Sequence, residues 1–149
     1  MRYIAFLFIA FSIATTYSIN AQQITNQKEQ HKATYEANKL LIQSKTYTIS
    51  PEVVYIERNR KAINSNTNFL SINGDHFTSN LETLDPKVTL KLDNKVSNYK
   101  EDSNDDRQVI IVEFSTSDSQ FKIIIQPIGN VFIEITKSGE TTTYKGKLK

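Results

Sequence analysis

The sequence predicts an α+β domain that is mostly β, with one N-terminal helix packed on a strongly curved antiparallel sheet or partly open barrel of about 7-8 strands. Three observations support this class. A polar segment without Gly or Pro precedes a long series of short apolar runs. Turn-forming residues separate these runs, as expected for antiparallel strands. The last runs, within residues 107–147, read as three consecutive hairpins with apolar side chains on both faces.

The first 21 residues have the pattern of a signal peptide. Arg2 supplies a positive charge, residues 4–13 are an almost uninterrupted apolar run, and a more polar stretch leads to Ala21. Because the run is too short to span a bilayer, we expect cleavage before Gln22 and export of residues 22–149 as a single domain. The predicted location is the periplasm or the exterior. An uncleaved N-terminal anchor is the alternative.

The charge and the cysteine count narrow the class of protein further. The whole chain has a formal net charge of +2, and the loss of Arg2 with the signal would lower it by one. This near-neutral balance argues against a nucleic-acid partner, and against a membrane partner once the signal is cleaved. The chain has no Cys, so an exported domain must rely on its apolar core and not on disulfides.

Residues 26–43 are predicted to form the helix, since they are rich in Gln, Lys, Glu and Ala. Asn26 and Glu29 fit a capping box at its start. A narrow apolar stripe at helical spacing is expected to pack against the sheet. Its members are Ala33, Ala37, Leu40 and Leu41.

Strands are expected from residue 45 onward. Residues 45–50 alternate, with Tyr47 and Ile49 on one face, and Pro51 is predicted to end this strand. Residues 57–68 are almost wholly polar and are interpreted as the longest loop. Three basic residues make it a candidate binding loop, with a solvated basic loop as the alternative. They are Arg58, Arg60 and Lys61.

Asn73-Gly74 gives the clearest hairpin signal in the chain, because this dipeptide favours a type I′ turn. With a two-residue loop at that point, Leu70 is predicted to lie opposite Phe77. His76 then shares the more polar face. The neighbouring Asp75 would point to the opposite face, so the two residues do not predict an oriented catalytic base.

The side chains of the closing hairpins predict which residues pair across them. Tips at Ser117-Asp118, Gly129-Asn130 and Ser138-Gly139 would pair Glu113 with Lys122, Phe114 with Phe121, Ile124 with Ile135, and Ile133 with Tyr144. Both faces of the central strands then come out apolar, which predicts that both are covered. We therefore expect a ligand-binding site between Val53 and Leu92 and not on the closing hairpins.

The chain contains no nucleotide-binding loop, nucleophile elbow or zincin helix, and the sequence predicts no catalytic residue, cofactor or metal. One acidic pattern resembles a calcium loop, with Asp102, Asn104 and Asp106 at its first, third and fifth positions. Arg107 stands where that loop needs Gly. Glu113, at the twelfth position, belongs to a strand. We therefore interpret residues 102–106 as an acidic turn.

The order of several segments resembles a known family. These are the stretch from Leu40 to Ile49, the Asn73-Gly74-Asp75 turn, the stretch from Val96 to Lys100, and the closing hairpins. Together they are similar to the secreted bacterial domain of unknown function 4251 family. The resemblance implies a small exported α+β domain of Gram-negative bacteria, and it implies no known activity or catalytic residue.

The sequence favours a non-enzymatic periplasmic or secreted binding module. Its partner would be an unknown small ligand or an envelope protein, bound in the curved sheet or under the loop of residues 57–68. Two alternatives stay open. One is a hydrolase whose site is assembled from carboxylates, and the other is an envelope partner or inhibitor protein that acts through an edge strand.

Overall fold

The computed structural model describes residues 29–85 and 87–149. The predicted signal peptide and Asn26 of the predicted capping box lie outside these residues. Helix α1 (residues 29–43) is followed by ten strands. Among the described residues, no helix has the length and apolar character needed to cross a membrane. The strands are β1 (Thr46–Ile56), β2 (Asn59–Ala62), β3 (Phe69–Asn73), β4 (His76–Glu82), β5 (Thr89–Lys95), β6 (Ser97–Asn104), β7 (Val109–Ser115), β8 (Gln120–Ile125), β9 (Asn130–Lys137) and β10 (Glu140–Leu148).

All ten strands belong to one antiparallel sheet, which curls into a half-barrel. Its order is β5-β4-β3-β1-β10-β9-β8-β7-β6, and β2 pairs with β1 beside this path. Strands β5 and β6 lie at opposite ends of that order, yet only Val96 separates them in the chain. The two edges therefore meet at Val96. The predicted fold class is confirmed, although about 7-8 strands was too low a count.

The inner face of the curled sheet carries the core. Along β4, β7, β8 and β9 every second side chain is buried, as expected for strands with one covered face. Phe77 of β4 lies 5.5 Å from Phe114 of β7 and 4.8 Å from Phe121 of β8, measured between ring centroids. These strands belong to opposite halves of the sheet. Aromatic packing therefore fills the inside of the half-barrel.

The prediction that both faces of the closing hairpins are covered is wrong. The predicted pairs of the first and third hairpins are confirmed, but Ile124 lies opposite Phe132 and not Ile135. The turn between β8 and β9 starts earlier than predicted, because the Gly129 amide donates to the Gln126 carbonyl. Pro127 presets the second position of this turn.

The corrected register exchanges the two faces of β9, because a slip by an odd number of residues turns every side chain over. Val131, Ile133 and Ile135 join the buried face, together with Phe114 and Phe121. A set of partly exposed apolar residues remains on the outer face. These are Val109, Ile111, Ile124 and Phe132.

The helix packs through a different face from the one predicted. Tyr35 and Ile42 are its buried side chains, whereas Ala33 and Ala37 are exposed and Leu40 is 68% exposed. Of the predicted stripe, Leu41 alone is partly buried against the core. Larger side chains reach further into the half-barrel, and Tyr35 also finds a hydrogen-bond partner for its hydroxyl. The stripe of small residues was therefore the wrong guide to the docking face.

Strand β1 continues through Pro51, which was predicted to end it. The pairing with β10 shifts between Pro51 and Val53, so a bulge accommodates the missing amide hydrogen of proline. Residues 57–68 are not one long loop either, because β2 pairs back onto β1 after a tight turn at Glu57 and Arg58.

Two further turns differ from their predicted positions. The tip of the β3–β4 hairpin is Gly74-Asp75, so Ile72 and not Leu70 lies opposite Phe77. Gly74 has a φ of 63°, while Asp75 does not have a positive φ, which is the pattern of a type II′ turn. The predicted acidic turn starts later too. Strand β6 includes Asn104, and the turn comprises residues 105–108.

Candidate functional site

A polar groove of about 350 Å³ crosses the outer face of strands β6 to β9. Its walls are polar side chains that point away from the core, and its floor is the backbone at two buried phenylalanines. The lining residues are Asn98, Lys100, Glu113, Phe114, Ser115, Gln120, Phe121, Lys122, Glu134 and Thr136.

A row of alternating charges forms one wall of the groove. Lys100 lies opposite Glu113, Glu113 opposite Lys122, and Lys122 opposite Glu134 in the pairing of β6 to β9. Lys122 Nζ and Glu113 Oε1 form an ion pair at 3.3 Å. Among the described residues, Lys100 and Glu134 have no ion-pair partner. The wall is thus neutralised in its middle and carries one unpaired charge of each sign at its ends.

The second wall is built from shorter side chains. Ser115 lies opposite Gln120, and Gln120 opposite Thr136. This row is two residues along each strand from the charged row, so about 7 Å separates the two walls. The floor is low because Phe114 and Phe121 direct their rings into the core and are each only 2% exposed.

Asn98 closes the groove at the sheet edge. It has a φ of 54° and lies where the pairing of β6 with β7 shifts between Ser97 and Lys100. Such a bulge re-aims a side chain, and Asn tolerates the left-handed conformation better than most residues. Within the described part of the chain, the side chains of Asn98, Ser115 and Gln120 have no hydrogen-bond partner. They are available to a ligand.

A trough at the hairpin tips adjoins this groove and shares Ser115, Gln120 and Thr136 with it. Lys137 Nζ lies 2.6 Å from Asp118 Oδ2 at its rim, and this ammonium is the main reason that the pKa of Asp118 is lowered. The trough is rich in hydroxyl groups. It extends the polar surface of the groove along the strands.

A second groove, of about 380 Å³, lies on the outer face of β3 to β5. Phe69, which is 38% exposed, borders it beside Asn80 and Lys91. Several of its polar groups are already engaged. Asn80 donates to the Thr67 carbonyl at 2.6 Å, and Asp93 Oδ1 lies 2.9 Å from His76 Nε2. This groove therefore offers a ligand fewer unsatisfied groups than the one over β6 to β9.

The candidate binding loop does not gather its basic residues at one site. Arg58 lies in the β1–β2 turn, and Arg60 faces Tyr55 across the hairpin. Lys61 instead binds Glu82 Oε2 at 3.2 Å. Hydrogen bonds from Asn68, and then from Lys61, lower the pKa of Glu82. Lys61 is thus part of a contact that holds the fold.

The calcium-like residues are also dispersed. Asp102 and Asn104 are exposed on strand β6, and Asp106 lies in the following turn. In residues 29–85 and 87–149, no three His, Asp or Glu side chains lie close enough to hold a metal ion. Asp105, between two of these residues, accepts hydrogen bonds from Tyr35 at 2.5 Å and Lys39 at 2.8 Å.

Two tyrosines meet inside the half-barrel. The Tyr47 and Tyr99 hydroxyl oxygens are 3.4 Å apart, and Lys45 Nζ lies 4.7 Å from the centre of the Tyr99 ring. Burial raises the pKa of both hydroxyls. They are therefore neutral near pH 7 and suited to hydrogen bonding and not to base catalysis. The alternation of residues 45–50 predicts that Tyr47 shares one face with Ile49, but no sequence pattern indicates its contact with Tyr99.

The comparisons with known proteins identify a family and a fold. A family model described as a domain of unknown function (DUF4251) matches residues 28–148. Comparison with curated proteins gives no match. A crystal structure of a DUF4251 family protein from Bacteroides eggerthii is similar to this chain with a TM-score of 0.67 and 19% sequence identity, over 81% of this chain and 90% of that one. The resemblance predicted from segment order is confirmed, and the chain belongs to the DUF4251 family.

Proposed function

We propose that this chain is an exported, non-enzymatic binding protein that holds a polar ligand in the groove over β6 to β9. One observation carries the proposal. The side chains of Asn98, Ser115 and Gln120 line a single groove and, among the described residues, have no hydrogen-bond partner. Polar groups arranged this way in a concave site fix the orientation of a ligand. The signal-like first 21 residues support export.

The inside of the half-barrel is a poorer site for a small ligand. The Phe77, Phe114 and Phe121 rings fill it from both halves of the sheet, and each of these side chains is at most 2% exposed. Entry of a ligand would have to displace this packing, at a cost of several kcal/mol. The outer groove requires no such displacement.

The charges of the groove indicate which ligands to expect. Its two lysines and two glutamates balance one another. This arrangement disfavours a polyanion such as a nucleic acid, whose binding depends on an excess of positive charge. Amide and hydroxyl side chains both donate and accept hydrogen bonds, so they suit a ligand that does the same.

Binding is tested by thermal denaturation of the purified protein with a panel of saccharides, short peptides and nucleotides. We expect a polar, overall neutral class to raise the melting temperature through preferential binding to the folded state. Asn98→Gly and Gln120→Ala should remove that rise, whereas Gln43→Ala, an exposed amide on the helix, should retain it. Asn98→Gly preserves the positive φ while removing the amide. No stabilisation by any class would contradict the proposal.

Export is tested separately, by expressing the full chain in a Gram-negative host and fractionating the cells. We expect the protein in the periplasm or the medium, with a mass corresponding to a chain that begins near Gln22. Recovery of the uncleaved chain from the cytoplasm would contradict this part of the proposal.

A hydrolase is the second candidate, and one observation favours it. Glu113 and Glu134 share the groove on strands two apart, which places them about 10 Å from each other, near the limit for paired catalytic carboxylates. Against it, the Glu113 side chain is 52% exposed and bound to Lys122, whereas a general acid usually needs an apolar environment. Turnover of a glycan or peptide that Glu113→Gln abolishes would favour the hydrolase.

An envelope partner bound through an edge strand is the remaining alternative. Strands β5 and β6 are the two edges of the sheet. Both carry charged side chains, including Lys91, Asp93 and Lys100, which discourage pairing with another strand. The groove is therefore the better-supported site.

A further inference from the structure

We infer that the groove over β6 to β9 binds a short extended peptide with a free amino terminus and a free carboxyl terminus. This inference rests on the proposed function and names its ligand. The two unpaired charges of the groove carry it. Lys100 lies at one end of the charged wall, on β6, and Glu134 lies at the other, on β9.

The charges at the ends of the wall are unpaired among the described residues, whereas those in its middle form an ion pair. Glu113 and Lys122 neutralise each other at 3.3 Å, so neither requires a ligand charge. Within the described residues, Lys100 and Glu134 have no such partner. A ligand with a carboxylate at the Lys100 end and an ammonium at the Glu134 end would therefore complement the wall. A peptide with free termini has one of each, at its two ends.

The distance between the two charges sets the length of the peptide. Strands β6 and β9 are three neighbours apart in the sheet. Neighbouring strands are ~4.8 Å apart, so the two positions are separated by about 14 Å. An extended chain advances ~3.3–3.6 Å per residue, which corresponds to about four residues. The groove runs across the strands, so the peptide would lie perpendicular to them.

The middle of the groove suits a peptide backbone. Every peptide unit presents one donor and one acceptor, and the side-chain amides of Asn98 and Gln120 present both as well. Ser115 adds a hydroxyl that can take either role. The floor is sheet backbone, because Phe114 and Phe121 turn inward. No deep side-chain pocket lines the described groove, so we expect the peptide sequence to matter less than its length and its ends.

Isothermal titration with tetra-alanine tests the inference on the purified protein. We expect binding of the free peptide, and a loss of about three- to ten-fold when its carboxyl end is amidated or its amino end is acetylated, as for partly exposed ion pairs. Di-alanine, which cannot reach both charges, should bind at least as weakly as the doubly blocked tetrapeptide.

Two variants test which end of the peptide contacts Lys100 and which contacts Glu134. Lys100→Ala should make the protein insensitive to amidation while it still distinguishes acetylation, and Glu134→Ala should do the reverse. Lys91→Ala, an exposed lysine at the other groove, is the matched control and should behave as the wild type. Circular dichroism spectra identical to the wild type establish that the variants fold.

These experiments distinguish failure of the terminal-charge inference from failure of the groove as the binding site. Equal binding of free and doubly blocked tetra-alanine, or binding of saccharides in place of peptides, would overturn the terminal-charge inference while the groove remained the site. Binding of a ligand that neither Asn98→Gly nor Gln120→Ala affects would overturn both.

Discussion

Gly146 of strand β10 lies opposite Pro51 of β1. A Cβ atom at this position would lie 2.2 Å from the Ser50 carbonyl oxygen and 2.7 Å from the Pro51 Cα. Both are backbone atoms of the β1 bulge, so no side-chain rotation can relieve the contact. The bulge that accommodates Pro51 in the sheet thus depends on the absence of a side chain opposite it.

Gly146→Ala is therefore expected to lower the free energy of unfolding by at least ~3 kcal/mol, since overpacking against fixed backbone forces the strands apart. Urea denaturation followed by circular dichroism measures this change. Gly139→Ala is the matched control. Gly139 has open space around its Cβ position but a φ of 87°, so we expect only ~1 kcal/mol of strain. A smaller loss for Gly146→Ala than for Gly139→Ala would contradict this account.

Asn68 is a buried polar residue whose side-chain nitrogen and oxygen both form hydrogen bonds. Its amide donates to the Asn64 carbonyl at 2.9 Å and to Glu82 Oε1 at 3.1 Å, and its oxygen accepts from the Glu82 backbone amide at 2.6 Å. Asn68 is only 1% exposed. It fastens the segment before β3 to the end of β4.

We expect Asn68→Ala to destabilise the fold by ~2–3 kcal/mol, because it leaves the Glu82 amide without its acceptor. The midpoint of chemical denaturation provides the measurement. Asn66→Ala, an exposed change in the same segment, should cost less than ~0.5 kcal/mol. Similar losses for the two variants would show that the Asn68 contacts contribute little.

At the scale of elements, helix α1 is held along its middle and just beyond its C-terminal end. Lys45, two residues after the helix, has a φ of 51°, and its carbonyl accepts from the Gly74 amide at 2.8 Å. Within the helix, Tyr35 and Lys39 both bind Asp105 in the β6–β7 turn. The helix is therefore attached to two hairpins from opposite halves of the sheet.

This second attachment should depend on pH. The Lys39 ammonium, followed by the Tyr35 hydroxyl, holds the pKa of Asp105 below its usual range. A lowered folded-state pKa gives stability that is present above the unfolded pKa and lost as the pH falls through the folded one. Comparing the wild type with Asp105→Asn, we expect a difference in denaturation midpoint that is constant above about pH 5 and shrinks below about pH 4.

Asp106→Asn is the control, since Asp106 is exposed in the same turn and has no partner among the described residues. Its midpoint should follow that of the wild type at every pH. If Asp105→Asn also followed the wild type throughout, the helix would not depend on this contact.

The registers of the first and third closing hairpins could be predicted because opposite charges and aromatic rings pair across them. Glu113 with Lys122 is one such pair, and its ion pair is present. The register of the middle hairpin was predicted wrongly, because Gly129-Asn130 has the sequence of a two-residue turn whereas the loop comprises the three residues Pro127 to Gly129. Reading Pro127 as the second residue of the turn would have corrected it.

Because the pairing of β8 with β9 was predicted wrongly, the groove could not be predicted from the sequence. The charged wall needs Glu134 beside Lys122, which follows only from the correct pairing of β8 with β9. The Asn98 bulge and the pairing of β6 with β7 depend on contacts that no local pattern encodes. The groove consequently lies outside the segment from Val53 to Leu92 where binding was expected.

At the scale of the whole molecule, the half-barrel is closed by contacts between its two halves. Phe77 packs on Phe114 and Phe121, although β4 and β8 are five neighbours apart in the sheet, with β3, β1, β10 and β9 between them. This cluster joins the two halves of the sheet across the core.

Phe77→Ala should therefore cost ~3–5 kcal/mol, because it removes a fully buried ring whose neighbours cannot close the cavity. Urea denaturation followed by near-UV circular dichroism measures this loss, and the signal of the variant should disappear at a lower urea concentration than that of the wild type. Phe69→Ala, which truncates an exposed ring, should cost less than ~1 kcal/mol. Comparable costs would mean that the contact between the halves does not stabilise the curl.

The role of the groove is tested most directly by nuclear magnetic resonance of ¹⁵N-labelled protein during titration with tetra-alanine. The side-chain amide signals of Asn98 and Gln120 should shift with the same saturation curve as the backbone amides of Ser115 and Thr136. Signals around Phe69 should stay in place. Shifts confined to the Phe69 groove, or to the Tyr47 and Tyr99 region inside the half-barrel, would contradict the assignment of the site to the outer face of β6 to β9.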